Sequence, residues 1–477
     1  MVGVPGRSKA CVTCLKRKKR CDLEKPFCGT CRKARVECGG YYRPRVFINS
    51  TLEDQSQLLI KRKPLAQSQR EDRNSSSDDD AAVALPTQLA QTAYQIRYLD
   101  LFWRVYLPNG QALPVELTQT ALGKWIDAIH DLHISETVLR KSLLALAVSV
   151  IGRKENSRYL KEEGGRLYTN ALRSLSSALR DPQRATSDAV LGAIRLLGVY
   201  ETMLGQNNGD MKQIKSWQAH NVGDVALICA RSPYSFTSGH AHELFADGRS
   251  NLTMSYIRQR KKCFLADLEW KTIPWLLKDK TPRDHLLDML VDIPGLFENI
   301  DLMKACTDSS VQEISRQKIL DSFLRIHQDL ITWHLLRAPD YEPVSKTPET
   351  FSPEQVAGAH LMTTFWATFI IVTSNIRALW TFKSEEGEFE PIFDLDTCCA
   401  GIIRTLPLFA HPDLGLFRTH LTTYPMIVAV YYINAAGLDR LVEERKILAD
   451  CLESPALAGV RQFVSNVKDD GLPAFLS

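Results

Sequence analysis

The chain's organisation turns on residues 11–38: Cys11-Val-Thr-Cys14-Leu-Lys-Arg-Lys-Lys-Arg-Cys21-Asp-Leu-Glu-Lys-Pro-Phe-Cys28-Gly-Thr-Cys31-Arg-Lys-Ala-Arg-Val-Glu-Cys38. The pattern C-x2-C-x6-C occurs twice, with six residues between the copies. Each half offers three sulfurs, whereas a tetrahedral zinc site needs four. Six sulfurs can serve two zinc ions only if two are shared. The repeat therefore predicts a binuclear cluster with one bridging thiolate from each half. The nearest histidine is His130, so no imidazole is available locally. That argues against Cys2His2 fingers and against RING or LIM sites. A segment this short has almost no core, so metal binding must supply its folding free energy, on the order of 10 kcal/mol per structural zinc. The competing reading is a disulfide knot, which suits a secreted chain. Met1 to Ala10 contains no apolar stretch of the kind a secretory signal uses, which favours reduced, metal-binding cysteines.

Between Cys14 and Cys21 lie Lys16, Arg17, Lys18, Lys19 and Arg20. On a turn fixed by metal, so much like charge is a poor choice unless a polyanion meets it. Residues 1–45 hold thirteen Lys or Arg against three Asp or Glu, a net of +10, while the remainder holds 46 basic and 52 acidic residues, a net of −6. A compact basic head on a mildly acidic body is the electrostatic footprint of nucleic-acid binding. The first half carries five cations in its spacer. The second carries Arg32, Lys33 and Arg35 beside Glu37. The first half is expected to face the DNA.

These cysteine spacings, the basic run ending in Arg20-Cys21-Asp22 and the loop residue Pro26 resemble the DNA-binding domain of fungal zinc binuclear cluster transcription factors, the Zn(II)2Cys6 family. The resemblance implies two zinc ions bridged by Cys11 and Cys28. Cys14 and Cys21 would complete one site, and Cys31 and Cys38 the other. It also implies that Arg17 and Lys18 reach base edges in the major groove, in members that typically read a CGG-type triplet. A cationic side chain can donate to the O6 and N7 acceptors of guanine, while Lys16, Lys19 and Arg20 would hold phosphates without reading sequence. Leu15 departs from the Arg common after the second cysteine of the family.

The 477 residues, 44% hydrophobic and 24% charged, suggest a chain of two or three domains with a large globular part. The expected organisation is a cluster domain over 1–45, a largely disordered linker over 46–92, and an all-helical regulatory domain over 93–477, making the fold mainly α. The linker holds Ser75-Ser-Ser-Asp-Asp-Asp80, a run with no core potential, and Lys61-Arg-Lys-Pro64, a candidate import sequence beside the basic run of the head. Ile48, Leu52, Gln55 and Leu59 fit a coiled-coil register, but Arg62 and Pro64 end it after two imperfect heptads, short of the three or four a coiled coil needs.

From about Ala93 the period is helical. Leu139, Leu143, Leu144, Ala147 and Val150 form one stripe. Leu167, Ala171, Leu172, Leu175 and Leu179 form a second, stopped by Asp181-Pro182. Val190, Ile194 and Leu197 form a third, with Gly205 as its stop. Leu361 to Ile376 lacks charge but is rich in Thr and too short for a membrane span, so a buried helix is expected and no membrane partner. The six cysteines outside the cluster lack partner spacing and are expected to be buried thiols. Tyr168-Thr-Asn-Ala-Leu, Val190 to Glu201, Trp217-Gln-Ala-His220 and Trp270-Lys-Thr-Ile-Pro-Trp275 resemble the helical regulatory region behind the cluster in the same family.

Candidate chemistry in the body is sparse. His240-Ala-His242 with Glu243 reads as a loop of solvated histidines, since zinc needs a further ligand cluster. Trp217 and His220 read as core packing, and Tyr200 with Glu201 as a hydrogen bond on one helix face. Phe365, Trp366 and Trp380 read as core aromatics rather than an effector pocket. There is no G-x-S-x-G, P-loop or dinucleotide fingerprint, so no catalytic residue is expected. The expected function is a nuclear regulator of RNA polymerase II transcription acting on metabolic genes. Its partner is double-stranded DNA. A homodimer, a small-molecule effector and the transcription machinery stand as further candidates. The alternatives are a ligand-binding, enzymatic or partner-binding protein for which the cluster is a nonspecific DNA tether.

Overall fold

The computed structural model describes residues 10–24, 28–34, 36, 38, 87–114, 117, 123–204, 212–380 and 389–469. The chain divides into two compact units, Met1–Val83 and Ala84–Ser477. The described residues contain helices and no strand. The possible coiled-coil segment, Lys61 to Pro64, the acidic serine run and Gly205 lie outside the described residues.

In the first unit two five-residue helices, α1 (Val12–Lys16) and α2 (Gly29–Lys33), each follow a cluster cysteine. The buried set here is Cys11, Cys14, Cys28 and Cys31, with Cys21 and Cys38 packed against it. A core made of sulfur is what a metal-organised module requires.

The second unit opens with α3 (Thr87–Tyr106), so residues 87–92, expected as linker, are already helical. Next come α4 (Lys124–Ser135), α5 (Thr137–Lys154), α6 (Arg158–Leu179), α7 (Asp188–Leu204), α8 (Lys212–Cys229) and α9 (Gly239–Gln259). The short helix α10 (Leu268–Thr272) leads to α11 (Pro282–Leu290), α12 (Ile293–Ala305), α13 (Ser309–Arg337) and α14 (Pro353–Trp380). The chain closes with α15 (Leu395–Phe409), α16 (Arg418–Ala435), α17 (Val442–Glu453) and α18 (Ala458–Asp469).

The stripes read from sequence bury as amphipathic spacing dictates. All five residues of the α5 stripe are buried, as are Val190, Ile194 and Leu197 of α7. Along α6 Ala171 and Leu175 are buried, Leu167 and Leu172 are partly covered, and Leu179 at the helix end is exposed. The α5–α6 hairpin is unusually close. A Cβ on Gly164 would overlap the Ser149 side chain and sit 2.9 Å from Ser149 Cα.

The apolar helix α14 is 28 residues long and passes a length-and-composition test for a membrane span, yet 94% of its apolar window is buried inside the body. It packs against α13, α15 and α16. Three of its buried hydroxyls are tolerated there because they return to their own helix, whereas Thr373 Oγ1 is buried without a hydrogen-bond partner among the described residues. Thr363 donates to the Ala359 carbonyl (2.8 Å), Thr364 to that of His360 (2.7 Å) and Thr368 to that of Thr364 (2.7 Å). Phe365 is core, stacked against Trp333 with centroids 5.5 Å apart and tilted against Phe369 at 5.7 Å.

Several body residues depart from the sequence reading. His240 and His242 lie in the first turn of α9, not in a loop. His242 is buried, its Nδ1 shared between the carbonyls of Phe236 (2.9 Å) and Pro274 (3.0 Å). The short Phe236 and Pro274 segments that close over it could not be seen in the local pattern. Tyr200 and Glu201 do not pair along their helix. Tyr168, from α6, donates to Glu201 Oε1 at 2.5 Å and stacks on Tyr200 at 4.2 Å. Of the thiols outside the cluster, Cys263, Cys398, Cys399 and Cys451 are buried, but Cys306 is partly exposed and Cys229, at the end of α8, is exposed.

Candidate metal centre and nucleic-acid interface

The 17-residue offset between the two cysteine triplets is also a structural repeat. The Cys14 amide donates to Cys11 Sγ and the Cys31 amide to Cys28 Sγ, both at 3.3 Å. Likewise the Cys11 amide donates to Cys21 Sγ and the Cys28 amide to Cys38 Sγ, both at 3.4 Å. The turns after the helices repeat as well: Lys19 N–H donates to the Cys14 carbonyl (3.0 Å) and Val36 N–H to that of Cys31 (3.1 Å). Each C-x2-C thus places its first sulfur as a helix N-cap and its second one turn on, and the sulfur six residues later folds back over the first.

The six sulfurs form two groups of four, Cys11 with Cys14, Cys21 and Cys28, and Cys11 with Cys28, Cys31 and Cys38. Within each group the sulfurs lie within 4.8 Å of one another, and the groups share Cys11 and Cys28. The separations Cys11–Cys28 (3.5 Å), Cys14–Cys28 (3.6 Å), Cys14–Cys31 (3.7 Å) and Cys11–Cys31 (3.8 Å) are far beyond a disulfide bond of about 2.05 Å. The separations within one group, Cys11–Cys28, Cys14–Cys28 and Cys11–Cys31, match the edge of a tetrahedron with metal–sulfur bonds of about 2.3 Å, which is about 3.8 Å. Burial among other sulfurs pushes the Cys14 thiol up to about 12 and raises Cys11 and Cys28 as well. A shared dication is the counter-charge that lets such sulfurs be thiolates. The donor set therefore fits zinc on geometry and on charge.

The basic run leaves the end of α1. Lys16, Arg17, Lys18, Lys19 and Arg20 are all exposed, and none has a carboxylate partner among the described residues. Lys18 takes the left-handed backbone conformation (φ 51°), which turns the chain within the run. The second half is different. Arg32 pairs with Glu24 at 3.2 Å.

Asp22 was legible only as part of a motif, and its structural task was missed. Its carboxylate accepts from the amide of Gly29 at 3.1 Å and from the Thr30 hydroxyl at 3.3 Å, tying the exit of the first half to the start of α2. Burial pushes this carboxyl up, but the N–H groups of Glu24, Thr30 and Gly29 outweigh that and hold it below its ordinary value. An Asp immediately after the third cysteine is the only local signal for this tether.

Residues 9–46 match the family model described as Fungal Zn(2)-Cys(6) binuclear cluster domain, and residues 114–228 match Fungal specific transcription factor domain. Cluster domains of this kind bind two zinc ions. The two matches give the class of domain that the head and part of the helical body are similar to: a zinc binuclear cluster domain followed by a fungal transcription factor domain. The chain is 26% identical over 119 residues to a curated Emericella nidulans protein described as uncharacterized. That match covers 25% of this chain and 24% of the relative, so the chain spans about a quarter of that protein's length. No solved structure matches the chain.

Proposed function

We propose that the protein is a sequence-specific regulator of RNA polymerase II transcription that acts in the nucleus and reads CGG-type sites with its zinc-cluster head. Cys11 and Cys28 bridge two zinc ions, Cys14 and Cys21 complete one site, and Cys31 and Cys38 the other. The metal supplies the cross-links that a 28-residue segment without an apolar core otherwise lacks. Arg17 and Lys18 read base edges, and Lys16, Lys19 and Arg20 neutralise phosphates. The observation that carries this reading is the pair of four-sulfur groups sharing two cysteines, followed at once by five exposed cations on a turn. The helical body serves regulation, and the target genes are metabolic.

The decisive experiment is selection of binding sites from random duplex DNA with the full chain, followed by occupancy mapping in the cell. Enrichment of a CGG-containing motif supports the reading. Enrichment of no motif, together with a steep salt dependence, would instead make the head a nonspecific tether.

A further inference from the structure

Native cores leave few voids larger than a water molecule. The body of this protein departs from that rule at the meeting of α7, α8, α9, α16 and α18. There a partly open cavity offers about 200 Å3 of space. Its walls are predominantly apolar and include Trp217, Met254, Ile427 and Phe463. Trp217 and Phe463 form a small apolar cluster of their own, ring against ring at 5.5 Å, which brings the last helix α18 against α8. Ligand sites in proteins have this character: a large apolar concavity with a few fixed polar groups.

The polar groups in the wall are held in place. Asn221 Nδ2 donates to the Trp217 carbonyl (3.0 Å), and Asn251 Nδ2 donates to Asn221 Oδ1 (2.6 Å). Two of the wall's charged residues, Arg195 and Asp224, pair at 2.9 Å. A third, Asp247, pairs with Arg283 at 3.1 Å and accepts from the amides of Gly123 and Trp125. Arg258 is the fourth charged residue of the wall. His220 Nε2 lies 3.3 Å from the Tyr168 hydroxyl, whose one proton goes to Glu201. His220 therefore donates from Nε2, and its Nδ1 is left as an acceptor. Burial pushes His220 and His420 down to about 4, so both imidazoles are neutral near pH 7. With the carboxylates of the wall already committed to guanidinium partners, a further buried charge would have to be desolvated at high cost.

We infer that this cavity is a binding site for an uncharged, largely aromatic small molecule carrying a hydrogen-bond donor, and that its occupancy fixes the C-terminal helix α18 on the body. It supplies a specific effector site for the regulatory role proposed above, and it lies wholly within the body. Loss of DNA binding in cluster variants and loss of ligand binding in cavity variants are therefore separate results.

The test uses the full chain and a matched pair of probes, 2-naphthamide and 2-naphthoate, titrated by calorimetry. Saturable binding of one naphthamide per chain is expected, with naphthoate at least tenfold weaker. Gly198 lies in the wall, and a Cβ there would meet only the His220 Cβ, at 3.6 Å. Gly198→Leu should therefore fill the space and weaken naphthamide at least tenfold. If Gly198→Leu does not fold, Phe463→Ala is read in its place, with a loss of at least fivefold expected. Occupancy should also slow hydrogen exchange in α18. Binding of neither probe, unchanged binding in Gly198→Leu (or in Phe463→Ala where that is read in its place), or unchanged exchange in α18 would overturn the inference. Stronger binding of naphthoate would overturn the uncharged class and point to Arg258 as an anion partner.

Discussion

Cys11 Sγ and Cys28 Sγ stand 3.5 Å apart, and each belongs to both four-sulfur groups. Removing a shared sulfur takes a ligand from two sites at once, whereas removing a terminal one leaves the other site complete. The purified full chain should carry two zinc ions. Cys28→Ala should lose both and unfold the head, while Cys38→Ala should retain about one. Metal analysis by mass spectrometry decides this, and two ions retained in Cys28→Ala would contradict the sharing.

The cationic turn predicts a split between specificity and affinity. Lys18→Ala should relax preference at one base step by about 1–3 kcal/mol, because a base contact is lost. Lys19→Ala should weaken specific and random duplex about equally and reduce the salt slope by about one. Competition binding at several salt concentrations separates the two. Equal losses on both duplexes for Lys18→Ala would remove its base-reading role.

Sequence and structure part company in a consistent way. The head was legible because each informative contact is local or obeys the 17-residue repeat, as with the paired amide-to-sulfur bonds of Cys14 and Cys31. The helices of the body were legible for a similar reason, since Leu139 to Val150 carry their period within one element. The cavity was not, because Trp217, Asn251 and Phe463 are brought together from α8, α9 and α18. Nor was Asp247, which accepts from the amides of Gly123 and Trp125 across more than 120 positions and caps a helix whose own N-cap is glycine. No local pattern announces a cap supplied from elsewhere.

That relationship gives a stability prediction. Asp247 also pairs with the buried Arg283 at 3.1 Å. Asp247→Ala would strand a buried guanidinium and release two N-terminal amides of α4, at a cost of about 3–5 kcal/mol. Asp247→Asn keeps an acceptor for the amides and should cost less. Denaturant unfolding should order the two variants in this way, and equal, small losses would show that the pair is not carrying α4.

Acid should destabilise the body in a defined window. Burial pushes His360 down to about 3, and His220 and His420 to about 4, from an ordinary 6.5. The unfolded chain therefore binds protons at these positions below about pH 6.5, while the folded chain does not. Their stabilising contribution is fully present above that pH and is lost as pH falls toward 4, by at most about 1.4 kcal/mol per pH unit for each histidine. Unfolding free energy measured from pH 7.5 to 4.5 should fall accordingly. His360→Gln should flatten the slope, and an unchanged slope would exclude this histidine as a source.

Two adjacent glycines on α6 should respond to the same substitution with opposite signs. Gly164 faces Ser149 of α5, and a new Cβ would overlap that side chain and press to 2.9 Å on its Cα. Neither helix can yield cheaply, because Ala145 and Leu146 on α5 and Ala171 and Leu175 on α6 are already buried in the shared core. Gly164→Ala should therefore destabilise the body by about 1–3 kcal/mol, as overpacking does. At Gly165 nothing lies within 4 Å of the same Cβ. There alanine only removes backbone freedom from the unfolded chain and should stabilise by about 0.5–1 kcal/mol. Thermal unfolding of the two variants side by side tests the close approach of α5 and α6 directly. If both substitutions shifted stability in the same direction, the 2.9 Å contact would have to be wrong.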